Sequence, residues 1–265
     1  MGDKQPEFIT VGSGADARRI ATLVEIAPGA PVDRPGVMWL SGLKSEMTST
    51  KASALAQWAR EKAVPCVRFD YSGHGQSEGA FENGTVSAWI EETRAVFERL
   101  SKGPMVLVGS SMGGYMALLL LRNLMDQTPA VAERIKALVL IAPAWDMTNL
   151  MWENFSPQAR RDIEEKGVYY RPSAYGDGPY PITKAFLDDG RQHLIGSAAF
   201  DPGRPVHIIH GLLDPDVPWE HTLDLVAHLS GDWTRVAAVP DGEHRLSRPE
   251  DIQLMLEIVG QYVGV

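Results

Sequence analysis

Met105-Val106-Leu107-Val108-Gly109-Ser110-Ser111-Met112-Gly113-Gly114 is the stretch on which the fold turns. Its first four residues are apolar on both faces, the pattern of a strand buried from two sides. The next six are small or permissive, and Tyr115–Leu121 continues as an apolar helix. Gly109 to Gly113 spell G-x-S-x-G between a strand and a helix, with Ser111 at the centre and Ser110 out of register. A sharp turn here lifts one hydroxyl above the sheet edge, and the glycines let backbone pass where a Cβ would collide. The helix that follows aims its positive end, with the Met112 N–H, at any negative charge developing beside that hydroxyl.

Outward from this turn, short β-rich runs alternate with helical patterns. Strands are expected at Phe8–Val11, Arg19–Ile26, Val37–Leu40, Pro65–Phe69, Met105–Gly109, Ala137–Ile141, Val206–His210 and Arg235–Val239. The first two lack a helix between them and are expected to form an antiparallel edge. The others read as parallel strands whose crossovers are helices near 50–62, 112–125, 219–230 and 249–262. Thr85–Ser101 is the clearest helix, with Val86, Trp89, Ile90, Val96, Phe97 and Leu100 on one stripe. Ser247 is the expected cap of the last helix, ahead of Pro249. Between Ala142 and Pro205 the alternation stops, too long for a plain connection. The chain therefore reads as an α/β core over 1–144 and 205–265, interrupted after the sixth strand by a lid at 145–204. That insertion holds Trp145, Trp152, Phe155, Tyr169, Tyr170, Tyr175 and Tyr180, with helices expected at 156–166 and 182–194.

A serine hydroxyl attacks little near neutral pH until a base takes its proton, so a histidine oriented by a carboxylate is required. His210-Gly211-Leu212-Leu213-Asp214-Pro215-Asp216-Val217-Pro218 follows the seventh strand, and Asp241-Gly242-Glu243-His244 follows the eighth. Ser111, Asp214 and His244 thus come in the order expected when each occupies a loop at the carboxyl end of a parallel sheet. Asp214, directly beyond its strand, is preferred to Asp216, read as a turn carboxylate, and to the remoter Asp146. Trp145 marks the lid entrance. His207 and His210 read as structural; His74, His193, His221 and His228 lack a partner motif and are expected on the surface or in loops. Ser41-Gly42-Leu43, after the third strand, offers the Leu43 amide as a second oxyanion donor beside Met112.

These motifs together, with Phe69-Asp70-Tyr71-Ser72-Gly73-His74-Gly75-Gln76-Ser77, resemble the α/β-hydrolase family over essentially the whole chain. Within it, Arg68–Gly73, Val108–Gly114, Glu165-Lys166-Gly167-Val168, Val217-Pro218-Trp219 and Asp251-Ile252-Gln253-Leu254 are similar to the mitochondrial acyl-protein thioesterase and acyl-glucuronide esterase branch of the α/β-hydrolase-domain group. The resemblance implies an α/β-hydrolase fold with an eight-stranded, mostly parallel sheet. It also implies Ser111, Asp214 and His244 as a triad acting without a cofactor on a small-molecule ester or thioester, or on an acyl-protein. C–C bond hydrolysis and perhydrolysis could use the same triad, and a ligand-binding protein could use the same scaffold.

Composition narrows the classes. The 265 residues carry 25 Lys and Arg against 34 Asp and Glu, a net charge of −9, so attraction to nucleic-acid phosphates is not expected. The single cysteine, Cys66, can form neither an intramolecular disulfide nor a cysteine metal cluster and suits a reducing compartment. No metal-ligand spacing such as H-E-x-x-H occurs. The longest apolar stretch, Met112 to Leu121, is far short of the roughly 20 residues that span a bilayer, so no stable membrane insertion is expected. Met1–Glu7 does not open a signal peptide, and a cytoplasmic location is expected.

Overall fold

A computed structural model describes residues 5–26, 31, 33–173, 178–196 and 198–265. The expected strands form, within a residue or two, as β1 (Glu7–Val11), β2 (Arg18–Glu25), β3 (Gly36–Leu40), β4 (Cys66–Phe69), β5 (Met105–Ser110) and β6 (Ile135–Ile141). A hairpin of β7 (Val168–Arg171) and β8 (Tyr180–Thr183) intervenes before β9 (Val206–Gly211) and β10 (Thr234–Val239). The main sheet has eight strands in the order β1-β2-β4-β3-β5-β6-β9-β10. β2 pairs antiparallel with β1 and with β4, and the pairings beyond β4 are parallel. This is an α/β-hydrolase fold, as the sequence led us to expect.

Side-chain alternation along the central strands splits the core in two. Val106 and Val108 of β5, with Val37, Trp39, Val139 and Ile141, meet α1 (Thr50–Glu61) and the last helix, α9 (Pro249–Val263), through Leu55, Ala59, Met255 and Val259. Met105 and Leu107 face the other way, with Met38, Leu40, Leu138 and Leu140, onto α2 (Val86–Leu100) and α3 (Met112–Gln127). α3 is apolar nearly all round and correspondingly buried, from Met112 through Leu121 and at Leu124. Each fully buried leucine there stabilises the fold by about 1.5–3 kcal/mol. α2 buries Val86, Trp89, Ile90, Val96 and Phe97 of the stripe read from sequence, and Thr85 caps it by accepting the Ala88 N–H at 3.1 Å.

The insertion contains more than the two expected helices. After the short α4 (Pro129–Ala132) and β6 come α5 (Met147–Asn154), α6 (Pro157–Lys166), the hairpin, and α7 (Lys184–Gly190), before α8 (Trp219–His228) returns to the core. The helix expected over 182–194 is corrected: Ile182 lies in β8, α7 starts at Lys184, and a 3-10 turn covers Arg191–His193. Val168, Tyr169, Tyr170 and Ile182 are β-branched or aromatic, which favours strand, and Gly167 with φ 77° ends α6 immediately before β7. The lid residue Tyr175 lies outside the described residues. Ser247 does not cap α9; Arg248 does, its backbone N–H donating to the Asp251 carboxylate at 3.1 Å. No helix among the described residues is long and apolar enough to cross a membrane.

Of the histidines expected on the surface or in loops, His74 lies in a loop but is buried, and His221 and His228 lie in α8 against an aromatic ring. His74 is buried among Phe81, Trp89 and Tyr71, with ring centroids 5.2, 5.3 and 6.0 Å away. Its Nδ1–H donates to the Ser72 carbonyl at 3.1 Å. His221 and His228 stack on Trp145 at 4.9 and 5.7 Å. Burial pushes the His74 imidazole down from 6.5 to about 4. The unfolded chain takes up this proton near 6.5 and the folded chain only near 4, so stability at this residue is lost as pH falls through that window. The loss is on the order of 3 kcal/mol when complete. Urea unfolding at pH 7 and pH 4.5 is expected to show a smaller acid loss for His74→Phe than for the parent; equal losses would place the proton elsewhere.

Candidate active site

Ser111 sits between β5 and α3 with φ 54° and ψ −116°, a backbone that side-chain-bearing residues adopt only under constraint, at a cost of roughly 1–3 kcal/mol. Its N–H donates to the Ile141 carbonyl of β6 at 2.8 Å, and its carbonyl accepts from Gly114 at 3.0 Å and Ala144 at 3.2 Å. The turn is also pinned from behind. A Cβ on Gly113 would lie 2.0 Å from the Leu40 carbonyl oxygen, so α3 can start against β3 only with glycine there.

The seventh and eighth core strands deliver the other two side chains. Asp214 follows β9 with its carboxylate 1% exposed, and His244 follows β10 at 16%. His244 Nδ1 donates to Asp214 Oδ2 at 2.7 Å, and Nε2 lies 3.0 Å from Ser111 Oγ. The other carboxylate oxygen, Oδ1, accepts the N–H groups of Asp216 at 2.8 Å and Val217 at 2.9 Å. Three donors thus offset the cost of burying this charge. The two loops are joined by the Leu213 N–H, which donates to the Gly242 carbonyl at 2.9 Å, and Gly211 has no Cβ to intrude on that carbonyl, which would lie 2.4 Å away. Below them His210 donates from Nε2 to the Val217 carbonyl at 3.1 Å and accepts Thr222 Oγ1 at Nδ1 at 2.9 Å. Burial holds its imidazole below the usual range, with the Asp214 charge opposing. Behind His244, the buried Lys51 ammonium of α1 donates to the Arg245 carbonyl and lies 3.4 Å from Ser247 Oγ.

The two residues expected to supply oxyanion donors both lie near Ser111. Met112 is the first residue of α3, so its N–H has no acceptor within the helix. Leu43 lines one cavity with Ser111 and His244, and the neighbouring Gly42 approaches Ser111 so closely that an added Cβ would touch the Ser111 Cβ at 3.4 Å. Ser41 is buried, and its hydroxyl accepts the Trp39 indole N–H at 3.0 Å.

The two rejected acids have other partners. Asp146 accepts the N–H groups of Ile195 at 2.7 Å and Gly196 at 2.9 Å, tying the far end of the lid to its start. Asp216 is more than a turn carboxylate: it pairs with Arg171 of β7 at 2.9 Å, a contact the sequence reading missed because the two lie forty-five positions apart. Asp214, Asp216 and His244 bring possible ligand atoms within 4.8 Å of one another, yet their hydrogen bonds already commit them to one another and to Arg171. A second serine–histidine–aspartate group, Ser87, His193 and Asp189, is wired differently. Ser87 Oγ donates to Asp189 at 2.7 Å and receives His193 Nε2–H at 2.7 Å, so the imidazole is a donor to this serine rather than its base. It straps α7 to the start of α2.

The cavity above Ser111 measures about 410 Å³. Ala144 and the α5 residues Met147, Leu150 and Met151 make one wall apolar, with Phe155 beyond them. Tyr169, Arg171, Tyr180 and Asp216 add polar groups to the lining. Apolar and polar lining together suit a substrate with a greasy acyl or aryl part and a polar remainder.

The chain matches a family model described as Alpha/beta hydrolase family over residues 26–253. It is 28% identical to the mitochondrial palmitoyl-protein thioesterase ABHD10 of Homo sapiens over 230 residues, which cover 86% of this chain and 73% of that protein. The orthologous protein of Pongo abelii is 29% identical over the same shares. Among solved structures, a putative hydrolase from Agrobacterium vitis S4 is 42% identical, covers 98% of both chains and superposes with a TM-score of 0.92. Alpha/beta hydrolase domain-containing protein 10 from mouse is 25% identical, covers 98% of this chain and 99% of its own, and gives 0.83.

The elbow makes a prediction that needs no substrate. Gly113→Ala is expected to lower stability by about 3 kcal/mol or more, because the new methyl must displace the Leu40 carbonyl. A melting temperature matching the parent's, read by circular dichroism, would contradict the packing described here.

Proposed function

Because this chain belongs to the α/β-hydrolase family, we propose that it is a serine hydrolase that opens a carboxylic ester or acyl thioester through an acyl-enzyme. The observation that carries the reading is the unbroken hydrogen-bonded line from Asp214 through His244 to Ser111. Ser111 Oγ attacks the carbonyl carbon as its proton passes to His244 Nε2, and the Asp214 carboxylate stabilises the imidazolium through Nδ1–H. The Met112 and Leu43 N–H groups receive the oxyanion. Collapse of the tetrahedral intermediate expels the alcohol or thiol, which takes the proton from Nε2. Water then attacks the acyl-enzyme by the same route and releases the acid.

The apolar α5 wall supports a hydrocarbon acyl group, and the names of the relatives, palmitoyl-protein thioesterases, support a thioester among its substrates. In this reading no cofactor takes part, and the partner is a small-molecule acyl ester or thioester or an acylated protein. We also propose a cytoplasmic site of action, since the single cysteine, Cys66, suits a reducing compartment. The mitochondrial relatives make the competing location specific, and imaging of the tagged full chain distinguishes the two.

A fluorophosphonate probe is expected to label Ser111, located by peptide mass spectrometry, with labelling abolished in Ser111→Ala and slowed by about 10⁴-fold or more in His244→Ala. Unlabelled but folded wild-type protein would sink the reading. For the acyl wall, Met151→Trp is expected to cut kcat/KM for octanoyl thioesters at least about tenfold more than for acetyl thioesters. Equal losses on both would remove α5 from acyl recognition.

A further inference from the structure

The hydrogen-bonded line that ends at Ser111 does not begin at Asp214. Asp214 Oδ1 is held by the Asp216 N–H at 2.8 Å, and the Asp216 carboxylate is held by the Arg171 guanidinium at 2.9 Å. Arg171 ends the lid strand β7, directly opposite Tyr180 of β8. The acid loop is thus gripped from the core side by His210 on the Val217 carbonyl, and from the lid side by Arg171 on Asp216. Arg171 and Asp216 are 30% and 27% exposed and line the cavity mouth with Ser111 and His244.

The rest of the lid is attached elsewhere. Ser87 holds Asp189, Tyr115 donates to the His193 carbonyl at 2.9 Å, Arg122 to the Leu194 carbonyl at 2.9 Å, and Asp146 takes the next two N–H groups. Those contacts fix the leg from Asp189 to Gly196 without touching the acid loop. The hairpin reaches that loop through the Arg171–Asp216 pair, so a change in its seating is transmitted to the triad carboxylate.

We propose that Arg171, acting through Asp216, is a positioning residue for Asp214, so that seating of the lid hairpin sets the triad for turnover. The inference rests on the serine-hydrolase reading and adds a residue to it. With the pair broken, the Asp214–Val217 loop loses the Arg171 hold, and the imidazole samples orientations in which Nε2 no longer faces Ser111.

The test is the rate at which a small fluorophosphonate labels Ser111 in the full chain, with kcat and KM for p-nitrophenyl acetate measured alongside. Arg171→Gln and Asp216→Asn are each expected to slow labelling and kcat by about three- to tenfold with KM little changed. The double variant should be no slower than the worse single one, since both break one interaction. Arg171→Lys, and the charge-exchanged pair Arg171→Asp with Asp216→Arg, should recover most of the rate, with unfolding temperatures confirming that each variant is folded. Labelling within about twofold of wild type in both single variants overturns the proposal, as do additive losses or an effect on KM alone, which would mark a substrate contact. Failure of wild-type protein to label at Ser111 would instead sink the hydrolase reading itself, and this inference with it.

Discussion

Ser111 keeps its unfavourable backbone because the surrounding main chain leaves it no other. Its N–H belongs to β6 through Ile141, its carbonyl is taken by Gly114 and Ala144, and α3 is pressed against β3 at a point where even one methyl would overlap Leu40. Release of the strain would have to break these contacts and lift a helix whose leucines are fully buried. A local cost of roughly 1–3 kcal/mol is thereby opposed by a much larger burial term. The hydroxyl is held above the sheet by the core, and no contact from the lid is needed to keep it there.

His244 and Asp214 depend on a different kind of support. Neither is pinned by strain; each belongs to a loop whose position is set by main-chain bonds and by neighbouring polar side chains. Leu213 to Gly242 ties the two loops together, His210 props one from below, and Lys51 props the other at Arg245. Ser111 is therefore held by core packing, while His244 and Asp214 are held by contacts between loops. It is at these loops that the lid makes contact, through Arg171 and Asp216.

How much of this was legible follows from the range of each interaction. The elbow, the eight core strands and the order Ser111, Asp214, His244 depend on local patterns: apolar runs, tight glycines and loops at strand ends. Those patterns sit within a few residues of one another, and the sheet that assembled them is the one expected. His221 and His228 went astray, and the burial of the loop residue His74 went unread, because the packing comes from rings elsewhere in the chain, Trp145 for the first two and Phe81 and Trp89 for the last. The lid hairpin was missed although Val168-Tyr169-Tyr170 carries strand-favouring residues, because each strand is only four residues long and the helical pattern of 182–194 overlapped the second. Ser247 lost its place as a cap to Arg248, whose N–H meets a carboxylate three residues on, a half of a capping box that Asp251 supplies.

The buried charges around these loops are satisfied in different ways. Glu92 is satisfied by Arg18 at 2.7 Å and the Ser72 N–H at 2.9 Å, and Asp214 by three donors. Lys51 is covered almost as fully, yet burial and the nearby Arg245 charge bring it down from 10.5 to about 8, with Asp251 opposing. A lysine in that state loses its proton far more readily than a surface one, and a neutral amine still donates to the Arg245 carbonyl. The hydrogen bond that ties α1 to the Arg245 carbonyl therefore does not depend on the charge of the lysine.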